Sequence, residues 1–155
     1  VIDFAAPCKD VAETLRLTAY KAGVEIRLDL SEAVPPVECD RKLIFNALYN
    51  LVNNAIPFTP PGGSITIRTF PHATEADKFV FEVEDTGKGM PEHIRERIER
   101  GEAPSTKAAG TGLGNRIVMN VIRRHNGTLR VRSEEGKGST FSITLPVRHL
   151  DGGDS

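Results

Sequence analysis

Tryptophan is absent from this 155-residue sequence and tyrosine occurs only twice, so aromatic platforms for stacking nucleic-acid bases are scarce. An excess of either charge is lacking too. Twenty lysines and arginines against 21 aspartates and glutamates leave a net charge of −1, which gives no basis for a nucleic-acid or membrane-surface partner. No apolar run approaches the roughly 20 residues of a membrane-spanning helix, and no signal-peptide pattern opens the chain. The two cysteines, Cys8 and Cys39, are far apart and match no metal-ligand spacing, so two reduced, partly buried thiols are expected. No internal repeat is visible. What is present, 39% hydrophobic and 26% charged residues, suits one soluble globular domain with one core. The chain opens on Val1 rather than methionine, as a fragment of a longer protein would.

Periodicity divides the chain into elements. Val1–Phe4 is short and apolar and reads as a strand, and Pro7 suits the first turn of a helix. Val11, Leu15, Thr18 and Ala19 recur at helical spacing until Gly23. Val24, Ile26 and Leu28 alternate as a strand, and Pro35-Pro36 leads to Asp40, a candidate N-cap. From Arg41 to Ala55 the residues Leu43, Ile44, Ala47, Leu48, Leu51, Val52 and Ala55 form one broad apolar stripe, closed by Pro57. Ile65, Ile67 and Thr69 predict a strand paired as a hairpin with 78–84, where Phe79, Phe81 and Val83 alternate. Residues 92–100 predict a short helix with only Ile94 and Ile98 apolar, stopped by Gly101. The span 101–111 holds no period and reads as a mobile cover over a site. Ile117, Val118, Val121 and Ile122 mark another amphipathic helix, stopped by Asn126-Gly127. His125 falls on its apolar side and reads as a structural histidine. Two final strands follow, over 128–133 and around Phe141, Ile143 and Leu145, joined by a turn at 135–138. Residues 1–148 form the domain and 149–155 a flexible polar tail.

Three short polar segments interrupt this pattern. Strand 78–84 runs into Asp85-Thr86-Gly87-Lys88-Gly89-Met90, a carboxylate at a strand end followed by two glycines. That arrangement serves equally as a recognition site or as an ordinary turn. The 41–55 helix carries Asn50 and Asn54 one turn apart, although asparagine is a poor helix former. These two amides are either solvated or neutral oxygen ligands facing a cleft. Gly110-Thr111-Gly112-Leu113-Gly114 precedes a helix, where free amides and a positive helix end suit phosphate, with Lys107 upstream as a cation. Its spacing matches neither the Gly-x4-Gly-Lys-Ser/Thr loop nor the dinucleotide fingerprint.

In this order, Asn50-x-x-x-Asn54-Ala55, Asp85-x-Gly87-x-Gly89 and Gly110-x-Gly112-x-Gly114 resemble the ATP-binding catalytic domain of sensor histidine kinases. Those domains belong to the GHKL superfamily shared with gyrase, a heat-shock chaperone and a mismatch-repair ATPase. The likeness runs from about Asp40 to Pro146. It implies an α+β, Bergerat-type two-layer sandwich. A mixed, mostly antiparallel sheet of about five strands would carry three main helices on one face, with residues 91–111 as an ATP lid. It implies ATP and Mg2+ as ligands. Asp85 would accept a hydrogen bond from the adenine amino group, with Gly87 and Gly89 admitting the base and Phe58 and Met90 beside it. Asn54, supported by Asn50, would hold Mg2+ against the phosphates. Lys107, Gly110, Thr111, Gly112, Leu113 and Gly114 would serve the phosphates, and Thr140 would place a hydroxyl near Asp85.

The resemblance also implies partners. The acceptor histidine would lie on a dimerisation domain outside this chain, since none of His72, His93, His125 or His149 has such a setting. A response regulator would act downstream. The domain alone would be a cytoplasmic monomer, and its parent a homodimer, with or without a membrane anchor. Four departures stand out. Asn50 occupies the place where hydrolysing relatives carry a glutamate base, Pro57 stands where many histidine kinases are basic, no phenylalanine lies between Met90 and Gly110, and Asn115 replaces a usual apolar residue. An anti-sigma-factor-type serine kinase and a non-catalytic nucleotide sensor are the alternatives.

Overall fold

A computed structural model of the chain describes residues 1–101 and 112–148. Helices α1 (Ala5–Lys21), α2 (Arg41–Ala55), α3 (Glu92–Glu99) and α4 (Gly112–Arg124) accompany strands β1 (Glu25–Leu30), β2 (Ser64–Pro71), β3 (Lys78–Asp85), β4 (Thr128–Glu134) and β5 (Gly138–Pro146). The strands form one sheet in the order β1-β2-β3-β5-β4. β1 pairs with β2 in parallel, as a crossover through α2 requires, and every other pairing is antiparallel.

Register decides which side of the sheet each residue serves. Ile65, Ile67 and Thr69 of β2 align with Asp85, Val83 and Phe81 of β3, and these with Ser139, Phe141 and Ile143 of β5. That face is buried under the helices. Cys8, Val11, Leu15 and Ala19 of α1, Ile44, Leu48 and Val52 of α2, and Val118, Val121 and Ile122 of α4 join it in a single core. Burying each large aliphatic side chain stabilises the fold by about 1.5–3 kcal/mol. The opposite face is polar. On it Glu82, only 6% exposed, accepts from Arg68 at 3.1 Å and Arg132 at 3.2 Å, and Arg68 also reaches Glu84 at 2.9 Å.

The start of the chain differs from its sequence reading. Val1–Phe4 is no strand: Ile2 makes a single antiparallel bridge to Val37, and helix α1 begins at Ala5. Phe4 is drawn into the core, its ring 4.8 Å from Phe79 and 5.0 Å from Phe81. That aromatic packing turns the backbone into the helical region and outweighs the local strand preference. Pro7 is the third helical residue, where its missing N–H loses no helical bond.

Other elements keep to the pattern. Asp40 caps α2 by accepting from the Leu43 amide at 3.1 Å. A short 3-10 turn, Ile56–Phe58, follows the helix and contains Pro57. His125 is 6% exposed and joins two elements. Its Nδ1 donates to the Val121 carbonyl at 2.8 Å, and its Nε2 accepts from the Asp40 N–H at 3.0 Å. Both cysteines are free thiols; burial pushes Cys8 up to about 12 and Cys39 up to about 11, so both stay protonated. Among the described residues no helix is long and apolar enough to cross a membrane.

Candidate functional site

A cavity opens between α2, the loop after β3, helix α3 and the end of β5. Asp85, Gly89 and Met90 line it from the loop, and Asn54 and Phe58 from the end of α2 and the turn beyond. Leu51, Val83, Ile98 and Phe141 form its apolar interior. One half-buried acid, one amide and an aromatic ring therefore meet around an apolar pocket, the composition of a small-molecule site.

Asp85 is the last residue of β3. Its Oδ1 accepts from the Gly87 N–H at 2.8 Å. Burial nevertheless holds this carboxyl above the ordinary aspartate range; the main-chain N–H groups of Gly87 and Ser139 oppose the rise and neighbouring Glu84 adds to it. The loop beyond Asp85 needs its glycines. A side chain at Gly87 would strike the Phe58 carbonyl, and one at Gly89, where φ is +71°, would strike the Glu134 carbonyl. The Met90 N–H donates to Ser133 Oγ at 2.8 Å, and Ser133 Oγ lies 2.9 Å from Ser139 Oγ. A pair of serine hydroxyls thus holds the loop against the end of the β4–β5 hairpin.

The residues singled out in sequence divide into groups. Asn54, Phe58, Asp85, Gly89 and Met90 share the cavity, and Gly87 is buried beside it. Asn50 stands one turn back on α2 and does not line the cavity; its Nδ2 donates to the Asn46 carbonyl at 2.7 Å. Gly112, Leu113 and Gly114 form the first turn of α4, whose opening amides have no carbonyl four residues earlier in the helix to bond. Lys107, Gly110 and Thr111 lie outside the described residues. Of the span 91–111, residues 92–99 are a helix packed on β4, where Arg95 donates to the Val131 carbonyl and Glu99 accepts from the Val131 N–H.

Thr140 is a correction. It aligns with Glu84, not Asp85, and so belongs to the sheet face away from the cavity; the hydroxyl beside Asp85 is that of Ser139. The period of two in β5 carried this signal: Phe141, Ile143 and Leu145 point inward, so residue 139 shares their side and residue 140 does not. Ile98 and Phe141 were legible as core residues but not as cavity walls, because their neighbours across the gap come from distant segments.

No group of three or more histidine, cysteine, aspartate or glutamate side chains able to hold a metal occurs among the described residues. The Asn54 amide is a neutral oxygen donor at the cavity, of the kind that suits Mg2+ together with ligand oxygens.

Comparison with known proteins agrees with this geometry. Residues 39–149 match the family described as histidine kinase-, DNA gyrase B-, and HSP90-like ATPase. Sporulation kinase E of Bacillus subtilis (strain 168) is 36% identical over 142 residues, covering 90% of this chain and 19% of that protein. The chain spans from about a fifth to two fifths of the length of the curated relatives it matches. Among solved structures, the catalytic domain of histidine kinase ThkA superposes with a TM-score of 0.80 at 25% identity, covering 96% of this chain and 95% of that one. Full-length ShkA in complex with AMPPNP superposes with a TM-score of 0.81 at 30% identity, covering 94% of this chain and 30% of that one. The chain belongs to the histidine kinase-, DNA gyrase B- and HSP90-like ATPases, and within them to the ATP-binding domains of sensor histidine kinases.

Proposed function

We propose that the domain binds Mg-ATP in the Asp85 cavity and donates the γ-phosphate to a histidine on a dimerisation domain outside this chain. A response regulator would then take the phosphate onward. The observation that carries this reading is the meeting of Asp85, Gly89, Met90, Phe58 and Asn54 around one apolar pocket. Asp85 accepts the adenine amino group, and the apolar walls Val83, Ile98 and Phe141 exclude water from the base. Asn54 lies where its amide oxygen can serve the metal-bound phosphates, and the first amides of α4 suit the same anion. Mg2+ when bound neutralises phosphate charge, so the protein's part is chiefly positioning. Asn50 has no basic oxygen able to take a proton from water, so the isolated domain hydrolyses ATP slowly.

The test joins the domain to the histidine-bearing part of its parent and supplies labelled ATP. Label on a histidine supports transfer; fast, protein-dependent phosphate release from the isolated domain contradicts it. A second reading, nucleotide sensing without transfer, is favoured by Pro57, an exposed uncharged residue in the turn beside the cavity. Binding of ATP with no label on any protein residue in the full-length parent selects that reading.

A further inference from the structure

β4 is the last strand in the sheet order, so among the described residues one side of its backbone has no strand to pair with. At Val131 helix α3 takes that place. Glu99 Oε2 accepts from the Val131 N–H at 2.8 Å, and Arg95 Nη1 donates to the Val131 carbonyl at 3.0 Å. The same Arg95 nitrogen bonds Glu99 Oε1 at 3.1 Å, one helical turn away. Glu92 completes the guanidinium from the other side, at 3.0 Å to Nε and 2.7 Å to Nη2. An arginine and a glutamate four residues apart thus offer one main-chain unit the donor and acceptor that a neighbouring strand would give it. Their side chains are 17% and 28% exposed, so water competes only in part.

The consequence lies on the other side of the helix. Ile94 and Ile98 turn into the core, and Ile98, 3% exposed, is a wall of the cavity that Asp85 lines. With no phenylalanine between Met90 and Gly110, no aromatic side chain of that span anchors α3. Alongside the burial of Ile94 and Ile98, the polar clamp at Val131 fastens it to the sheet edge.

We infer that Arg95 and Glu99 are positioning residues for nucleotide binding, fixing the Ile98 wall of the cavity by tying α3 to the main chain of Val131. This rests on the reading of the cavity as an adenine-nucleotide site. Neither residue touches the nucleotide. Both act through the helix that carries Ile98, so loosening either widens the pocket around the base and lowers affinity without removing a ligand contact.

The experiment compares ADP affinity by calorimetry, hydrogen exchange at the Val131 amide, and the melting temperature. Glu99→Ala removes the acceptor of that amide, Glu99→Gln keeps an oxygen there, and Arg95→Lys keeps a cation without the fork; the last two serve if the alanine variant does not fold. Glu99→Ala and Arg95→Lys are expected to weaken ADP five- to tenfold and to speed exchange at Val131, with Glu99→Gln restoring most of the affinity. Unchanged ADP affinity in a folded variant whose Val131 amide exchanges faster overturns the positioning role, as does equal loss in Glu99→Gln and Glu99→Ala. If the unaltered protein binds no ADP, it is the nucleotide reading that fails.

Discussion

Ser139 stands opposite Asp85 across the β3–β5 ladder, and the two line the same cavity. The Gly87 N–H donates to the Asp85 carboxylate at 2.8 Å, a main-chain bond that no side-chain substitution elsewhere removes. Burial still dominates its ionisation and raises its pKa. The group that suits ligand recognition is therefore one the empty fold would rather keep neutral, a tension common at functional sites.

Asp85→Asn follows from this. Because the folded pKa lies above the unfolded one, the ionised carboxylate opposes folding at neutral pH. That opposition vanishes below the unfolded pKa and is complete above the folded value. The amide keeps an oxygen for the Gly87 N–H. The variant is expected to melt at a higher temperature at pH 7 and to bind ATP at least tenfold more weakly. A charge-assisted hydrogen bond contributes about 1.5–3 kcal/mol. Scanning calorimetry and titration calorimetry read the two effects, and a folded variant with undiminished affinity removes Asp85 from the site.

ATP affinity is expected to depend on pH in the acid range. Protonation of Asp85 takes away the charged acceptor, so affinity falls as pH drops through its raised folded pKa, with a midpoint above the ordinary aspartate value of 3.8. The same titration on Asp85→Asn is expected to lack this inflection. Identical profiles for the two proteins would trace the pH effect elsewhere.

The serine pair at the hairpin end predicts a contrast. Ser133→Ala leaves the Met90 N–H without its acceptor, which destabilises by about 1–3 kcal/mol and loosens a loop that lines the cavity. Thr140→Ala, on the far face of the sheet, is expected to leave ATP affinity unchanged. Ser139→Ala removes the hydroxyl that contacts Ser133 and lines the cavity beside Asp85, and is expected to weaken ATP binding more than Thr140→Ala does. Urea unfolding with binding titrations on the three variants checks the order, and an affinity loss confined to Thr140→Ala would reverse the assignment.

His125 ties the end of α4 to the cap of α2 through Val121 and Asp40. His125→Phe fills similar space but strands the Asp40 N–H, so a loss of about 1–3 kcal/mol in unfolding free energy is expected. His125→Gln, which can still offer an oxygen near the Nε2 position, is expected to recover part of it. Equal stability of the phenylalanine variant and the parent would show that water replaces the bond.

Much of this was legible in the chain because it is local. Asp40 reads as a cap from its place before an apolar stripe, and the alternation of Phe79, Phe81 and Val83 assigns their side of the sheet without knowing what covers it. Asn54, Asp85 and Gly89 stand out because each breaks the pattern of its own element. The errors came where distant partners decide. Val1–Phe4 has strand-like composition, yet Phe4 serves Phe79 and Phe81, more than 70 residues away, and the backbone follows the ring. Thr140 and Ser139 are equally good hydroxyls in sequence, and only the register against β3 separates them.

The sequence by itself determined most of the elements beyond Phe4, the single apolar core and the residue types of the site. These rest on periodicity and on interactions within a few residues of chain. Which of those residues share a cavity, that Ser139 faces Asp85, and that Arg95 and Glu99 grip Val131 were decided by tertiary structure. The reason is physical: hydrogen-bond partners 32 or more residues apart, such as Val131 and Glu99, are chosen by sheet order and helix seating, which no local pattern of side chains encodes.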